Sequence, residues 1–333
     1  MGHSATEILM AIERETSERE LFRARADALA AERMRAKGAK PSMIGVATSS
    51  WDTNRPHPIF LGLLEGIRLR LYASGCDLLL FTTVDPDPDT YLRRCRDSGV
   101  SGVILRGFAI DDARVLRLLE AGIPCVGLDD IGLVPNLGHV SSDNVGGALE
   151  AVRHLVAVGR RRIATIHAPL SHTVGEERLL GYRLGLGEVD LPCLPEYLVE
   201  ADFLLNDGEM AMERLLALDE RPDAVFAASD VMAIGAMSAI EKAGLRVPDD
   251  IAVVGFDDVP YATLVSPQLT TVRQDAPAQG IAAAEGLLRM IVNPSANPIE
   301  LVVPVELIVR ESSGASDETP SPQTDDSLSS FGD

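Results

Sequence analysis

The run Ile251-Ala-Val-Val-Gly-Phe-Asp-Asp258 decides the fold. Its apolar core is too short for a helix and reads as a fully buried strand. Two adjacent carboxylates end it, and polar groups at the ends of parallel strands are where an α/β sheet meets its ligand. A second segment, Ser266-Pro-Gln-Leu-Thr-Thr-Val-Arg-Gln274, soon finishes in the same way, on Arg273 and Gln274. Just upstream, Ala228-Ser-Asp-Val-Met-Ala233 joins an apolar run to a helical pattern, with Ser229 and Asp230 at the junction.

The same alternation fills most of the chain. Apolar runs at 43–48, 76–82, 102–105 and 124–127 are separated by amphipathic stretches at 60–73, 89–97 and 111–121. Gly75, Gly99 and Gly122 each lie just past a helical stretch, where a C-terminal cap belongs. After 144–158 the pattern repeats, with strand-like runs at 162–167, 197–199, 224–227 and 251–256. Helical stretches at 177–186, 208–216 and 231–243 lie between them. A series of βαβ units predicts parallel, doubly wound sheets. Two similar halves predict two lobes with a cleft between.

These motifs, in this order from about Ser42 to Ser313, resemble the effector-binding core of the LacI/GalR family of bacterial regulators. The resemblance implies two doubly wound lobes of the type I periplasmic-binding-protein kind, and supplies a crossing pattern that periodicity cannot. It places a helical segment and linker at 1–41 and the first lobe at 42–159 plus 275–295. The second lobe falls at 160–274 plus 296–311, and an acidic, disordered tail at 312–333. Residues 5–37 read as helix, but no helix-turn-helix with an exposed recognition face is apparent there. Arg25–Lys40 weakly resembles a hinge helix, and an oligomerising helix is the other reading.

Candidate ligand contacts follow from the resemblance. His57-Pro-Ile-Phe60 resembles the family's pocket-entry motif Asn-Pro-Phe-Phe, with His57 departing from Asn. Phe60 would line the cleft beside Ser50, although helix packing would explain Phe60 equally. Val140-Ser-Ser-Asp143-Asn144 resembles the family's Val-Asp-Asn stretch, and Asp143 reads both as helix cap and as ligand acceptor. Arg178, in Glu177-Arg-Leu-Leu-Gly-Tyr182, offers a planar fork of donors suited to vicinal hydroxyls. Phe203 is a candidate stacking platform. Ser229 stands where relatives carry Asn and reaches less far. Asp230 is read chiefly as a cap. Asp257 is the strongest single candidate, and Gln274 would sense closure near the hinge.

Composition limits the alternatives. The 333 residues carry a formal charge of −20, and a strongly acidic body repels nucleic acid. Residues 1–40 are near neutral, with eight Lys/Arg against seven Asp/Glu, so DNA contact would have to come from there. Cys76, Cys95, Cys125 and Cys193 have no metal-ligand spacing and read as reduced thiols. Nucleophile-elbow, Walker A, zinc-protease and dinucleotide-binding motifs are missing, so neither enzyme activity, metal nor cofactor is expected. No export signal is evident, and a cytoplasmic homodimer sensing a sugar, polyol or nucleoside is the expectation. The alternatives are a solute-binding protein for sugar uptake, or a regulator whose DNA-binding domain lies upstream of Met1.

Overall fold

The computed structural model describes residues 43–48, 57–81, 85–109, 111–129, 134–293 and 295–314. The expected helix at 5–37 and the candidate Ser50 therefore lie outside the described residues. Two six-stranded sheets form the framework, each sandwiched between helices.

The first sheet contains β1 (Met43–Thr48), β2 (Asp77–Phe81), β3 (Val100–Arg106), β4 (Cys125–Leu128), β5 (Leu137–Ser142) and β11 (Glu300–Val303). Their spatial order is β11-β5-β4-β3-β1-β2, and every pairing is parallel. The second sheet takes β6 (Ile163–His167), β7 (Leu198–Glu200), β8 (Ala224–Ala227), β9 (Ala252–Asp257), β10 (Thr270–Gln274) and β12 (Val305–Ile308). Its order is β12-β10-β9-β8-β6-β7, with β12 antiparallel to β10. Each lobe thus runs 2-1-3-4-5 with one added edge strand. In such sheets the ligand crevice opens where the strand order reverses, between the first and third strands.

Helices cover both faces. On the first sheet α1 (Ile59–Ser74) and α8 (Ala276–Val292) share one core with Ile44, Ile104, Val126 and Val140. On its other face, α2 (Pro88–Asp97) and α3 (Ala113–Glu120) pack through Tyr91, Leu92, Val115 and Leu118. On the second sheet α4 (Asn144–Ala157) and α5 (Thr173–Gly187) cover one face, and α6 (Leu205–Leu216) and α7 (Asp230–Lys242) the other. Asp87, Asp112, Asp143, Ser229 and Asp275 cap α2, α3, α4, α7 and α8 by accepting a first-turn N–H. The cap of α7 is thus Ser229, not Asp230.

The lobe boundaries differ from the expectation at two of three crossings. Packing of α4 against α5, β9 and β12 makes it part of the second lobe, so the first crossing is at Asp143 and not near Gly159. The physical reason is Ala148, Ala151, Val152 and Leu155, an apolar face that the second sheet completes. The last crossing is at Pro304, between β11 in the first sheet and β12 in the second, and not at 296. The middle crossing lies between Gln274, which ends β10 in the second sheet, and α8, which packs on the first. Ser312 and Ser313 are also not tail. Ser312 Oγ donates to Val253 O at 2.6 Å and accepts from Thr270 N at 2.8 Å, which binds the chain end to the second lobe.

Helices α1 and α8 approach closely because glycines face each backbone. A Cβ on Gly66 would sit 2.1 Å from Pro277 O, and one on Gly280 2.1 Å from Leu63 O. Gly280→Ala must push the helices apart, at about 1–3 kcal/mol. Urea denaturation would reveal that loss, and a wild-type midpoint would contradict the close approach.

Candidate functional site

A cleft between the lobes is lined by His57, Ile59, Arg106, Asp129, His172, Val174, Arg178, Phe203, Asp257 and Gln274. Arg106 ends β3, Asp129 follows β4, Asp257 ends β9 and Gln274 ends β10. The carboxyl ends of both sheets therefore converge on one space, as the topology requires. Helices α1 and α5, the first after each lobe's first strand, also begin there. Neither has a side-chain cap among the described residues; Phe60 N and Leu61 N in α1 and Gly175 N in α5 donate instead to backbone carbonyls at the helix starts.

The lobes touch through the cleft residues themselves. The His57 ring stands edge-on to Phe203, with centroids 5.9 Å apart. His57 Nε2 lies 3.6 Å from Asp257 Oδ2, too far for a hydrogen bond. About 20 Å³ of free volume remains, room for about one water. A larger ligand therefore requires these side chains or the lobes to part.

Arg178 is held from several directions. Its Nε donates to Asn144 Oδ1 at 2.8 Å and its Nη1 to Ala228 O at 2.6 Å. The guanidinium lies 3.8 Å from the Phe256 ring centroid, and Nη1 lies 3.6 Å from Asp257 Oδ1. Such a fixed fork presents donors without reorganising. Gln274 Nε2 donates to Asp257 Oδ1 as well. Asp257 Oδ2, Asp129 Oδ1 and both nitrogens of His57 are buried with no hydrogen-bond partner. Orphaned buried polar atoms are uncommon in native proteins, and here they face one cavity.

Burial sets the charge states. It pushes the Asp257 carboxyl up to about 6, against the opposing influence of Arg178, the Gln274 amide and Arg106. Burial, with Arg106 and Arg178 nearby, brings the His57 imidazole down to about 3. His57 is thus neutral near pH 7, with one donor and one acceptor nitrogen. Asp230 lies behind the cleft, fully buried, and burial and Asp257 raise its carboxyl. It accepts from Val259 N at 2.8 Å and from Thr271 Oγ1.

Backbone conformation marks the same residues. Asp129 has φ 62°, Asp257 φ 122° and Asp258 φ 57°. Non-glycine residues in this region carry strain of order 1–3 kcal/mol, which collects at functional sites. Asp258 turns away from the cleft, between Arg273 at 2.7 Å and Arg310 at 2.5 Å.

The structure brings Arg178, Phe203, Asp257 and Gln274 together from the sequence-derived set. Phe60 is buried in the core between α1 and α8, beside the cleft-lining Ile59. Asp143 caps α4 by accepting from Gly146 N at 2.8 Å, and Ser229 caps α7 by accepting from Met232 N at 3.3 Å. None of these three lines the cleft. Sequence reasoning passed over Arg106, Asp129 and His172, and left His57 as a departure from a motif. Among the described residues, no group of three or more His, Cys, Asp or Glu is placed to hold a metal ion.

The model of the periplasmic binding protein-like domain matches residues 152–313. HTH-type transcriptional regulator CelR of Thermobifida fusca is 35% identical over 258 residues, 77% of this chain and 76% of that protein. The ribose operon repressor of Haemophilus influenzae is 31% identical over 260 residues, 77% of each chain. Among solved structures, a CelR–cellobiose complex aligns with TM-score 0.76 at 32% identity, covering 84% of this chain and 88% of that one. A LacI family transcriptional regulator from Enterococcus faecium with bound ribose aligns with TM-score 0.71 at 27% identity, covering 81% and 98%.

The shifted carboxyl gives a test. Unfolded, Asp257 titrates near 3.8 and folded near 6, so the folded state holds the proton more tightly. Its ionisation weighs against folding above pH 6, and that burden fades as pH falls toward 4. Asp257→Asn is expected to be more stable than wild type near pH 8, with the advantage shrinking as pH falls to about 4. Urea titrations across that range check the trend, and a pH-independent difference contradicts it.

Proposed function

Since the chain belongs to the LacI/GalR family of bacterial transcriptional regulators and is a ligand-responsive regulator, we propose that its effector is a small, neutral, polyhydroxylated molecule bound in the inter-lobe cleft. The observation that carries this is the convergence of orphaned polar atoms of His57, Asp129 and Asp257 around Arg106 and Arg178. Two guanidinium groups face two carboxylates, and the histidine between them is neutral, so an uncharged ligand leaves the balance undisturbed. Hydroxyls both donate and accept, matching a lining that offers both. Phe203, Ile59 and Val174 supply apolar surface for a ring face.

The switch in this reading is hinge closure. An effector that touches Arg106 and Asp129 on one lobe and Arg178 and Asp257 on the other has different affinities for open and closed forms, and shifts the population by that difference. The protein acts in the cytoplasm as a homodimer joined through the first lobe and reads operator DNA, through residues outside those described or through a partner. Leu61 and Tyr72, eleven residues apart on one face of α1 and 69% and 60% exposed, are apolar side chains that such a dimer would cover. The relatives named for cellobiose and ribose support the ligand class.

A thermal-shift screen against pentoses, hexoses, disaccharides, polyols and nucleosides tests the proposal. A ligand at a hundred times its Kd adds about 2.7 kcal/mol, a shift of a few degrees. Asp257→Asn, which keeps the shape and removes the charge, is expected to weaken the hit about tenfold or more. Full affinity in that variant, or no hit with a well-folded protein, contradicts the assignment.

A further inference from the structure

A chain of buried side chains lies behind the cleft, where the lobes cross. Gln279, in the first turns of α8, is fully buried, and its Nε2 donates to Ser142 Oγ. Ser142 Oγ donates to Gln274 Oε1 at 2.6 Å. Gln274 Nε2 then donates to Asp257 Oδ1. A hydroxyl has one proton, so the direction is fixed from Gln279 to the cleft carboxylate, and bonds aligned this way strengthen one another. The rest of the buried face of α8 is Ala276, Gly280, Ala283, Ala284, Gly286, Leu287 and Met290. Gln279 is the polar exception on that face, and its Oε1 has no hydrogen-bond partner. An orphaned buried acceptor costs about 1–3 kcal/mol, so packing alone gives no reason for an amide at this position.

We infer that Ser142 and Gln279 are positioning residues for the cleft: they fix the Gln274 amide with its N–H toward Asp257, and so set which carboxylate oxygen is left for ligand. Ser142 and Gln279 belong to the first lobe, Gln274 and Asp257 to the second. The Ser142–Gln274 bond is therefore the link of the chain that spans the lobes, with Gln279 Nε2 also 3.5 Å from Gln274 Oε1, and its geometry depends on the inter-lobe angle. Opening removes the restraint on the Gln274 amide, and closing restores it. Contact chemistry at the cleft and geometry at the crossings are one coupled state.

The test requires no effector, so its failure and that of the proposed ligand class are distinguishable. Protein labelled with 13C at Asp carboxyls is titrated by NMR, with the Asp257 signal assigned by its loss in Asp257→Asn. The groups facing Asp257 are His57, Arg106, Asp129, Arg178, Asp230 and Gln274, and all are kept in the test variants. Ser142→Ala and Gln279→Leu each release the Gln274 amide, and each is expected to raise the Asp257 midpoint by roughly half a unit or more, because a donor to the ionised form is lost. Leu287→Ala, a cavity on the same helix face that leaves the chain intact, is expected to keep the wild-type midpoint. A wild-type midpoint in folded Ser142→Ala or folded Gln279→Leu overturns the proposal. So does an equal shift in Leu287→Ala, which would make the effect one of general loosening. Ser142→Ala removes a single oxygen and carries the test alone should the leucine variant fail to fold.

Discussion

The hydrogen bond from Ser142 to Gln274 joins the ends of the fifth strand of each lobe, and much else follows from it. The three crossings run side by side at this point. Ser142 is in register with Val303 and Gln274 with Val305, on either side of Pro304, while Asp143 N donates to Val303 O at 3.0 Å. Three adjacent strands with few rotatable bonds between the lobes make a hinge that bends about one axis and resists twist. Gln274 ends β10 at this hinge, and Asp129 and Asp257 lie at the ends of β4 and β9, the neighbours of the two fifth strands. Small changes of angle therefore appear as concerted displacements of Asp129 against Asp257 and of His57 against Phe203.

The site has the internal symmetry of the fold. Each lobe places an acid in the left-handed region at the end of its fourth strand, Asp129 in one and Asp257 in the other. Both also place a histidine at the start of the helix that follows the first strand, His57 before α1 and His172 before α5. The differences carry the chemistry. Arg106 comes from a strand end in the first lobe, whereas Arg178 reaches up from the middle of α5 in the second. A pseudo-twofold cradle with unlike cations suits a ligand whose two edges differ.

The alternation of apolar runs and amphipathic stretches made the sheets and most helices legible, because buried parallel strands and two-faced helices leave different periods. β5 was harder to see. Leu137-Gly-His-Val-Ser-Ser142 is buried throughout yet half polar; Ser142 donates to Gln274 at the hinge and a His139 nitrogen lies 3.5 Å from Asp129 O, partners that sequence cannot place. The lobe boundaries were misread at 159 and 296 for a related reason. A helix belongs to whichever sheet completes its apolar face, and that is a property of three dimensions. Arg178, Asp257 and Gln274, which the structure brings to the cleft, each stand in a motif legible in the sequence. Arg106 and Asp129 were missed although each directly follows an apolar run, the same signal that singled out Asp257. Applying the strand-end rule to every strand finds both.

The left-handed backbone at Asp129 and Asp257 bears on how this protein changes over generations. Glycine relieves strain at such positions, and removing a buried carboxylate relieves a second penalty, so mutation supplies stabilising replacements there continually. Only selection for sensing opposes them. A lineage that keeps the fold but no longer needs its signal would lose these two acids early, while the glycines packed between α1 and α8 persist. The identity of residues 129 and 257 across descendants would thus serve as a record of when the ability to sense was abandoned.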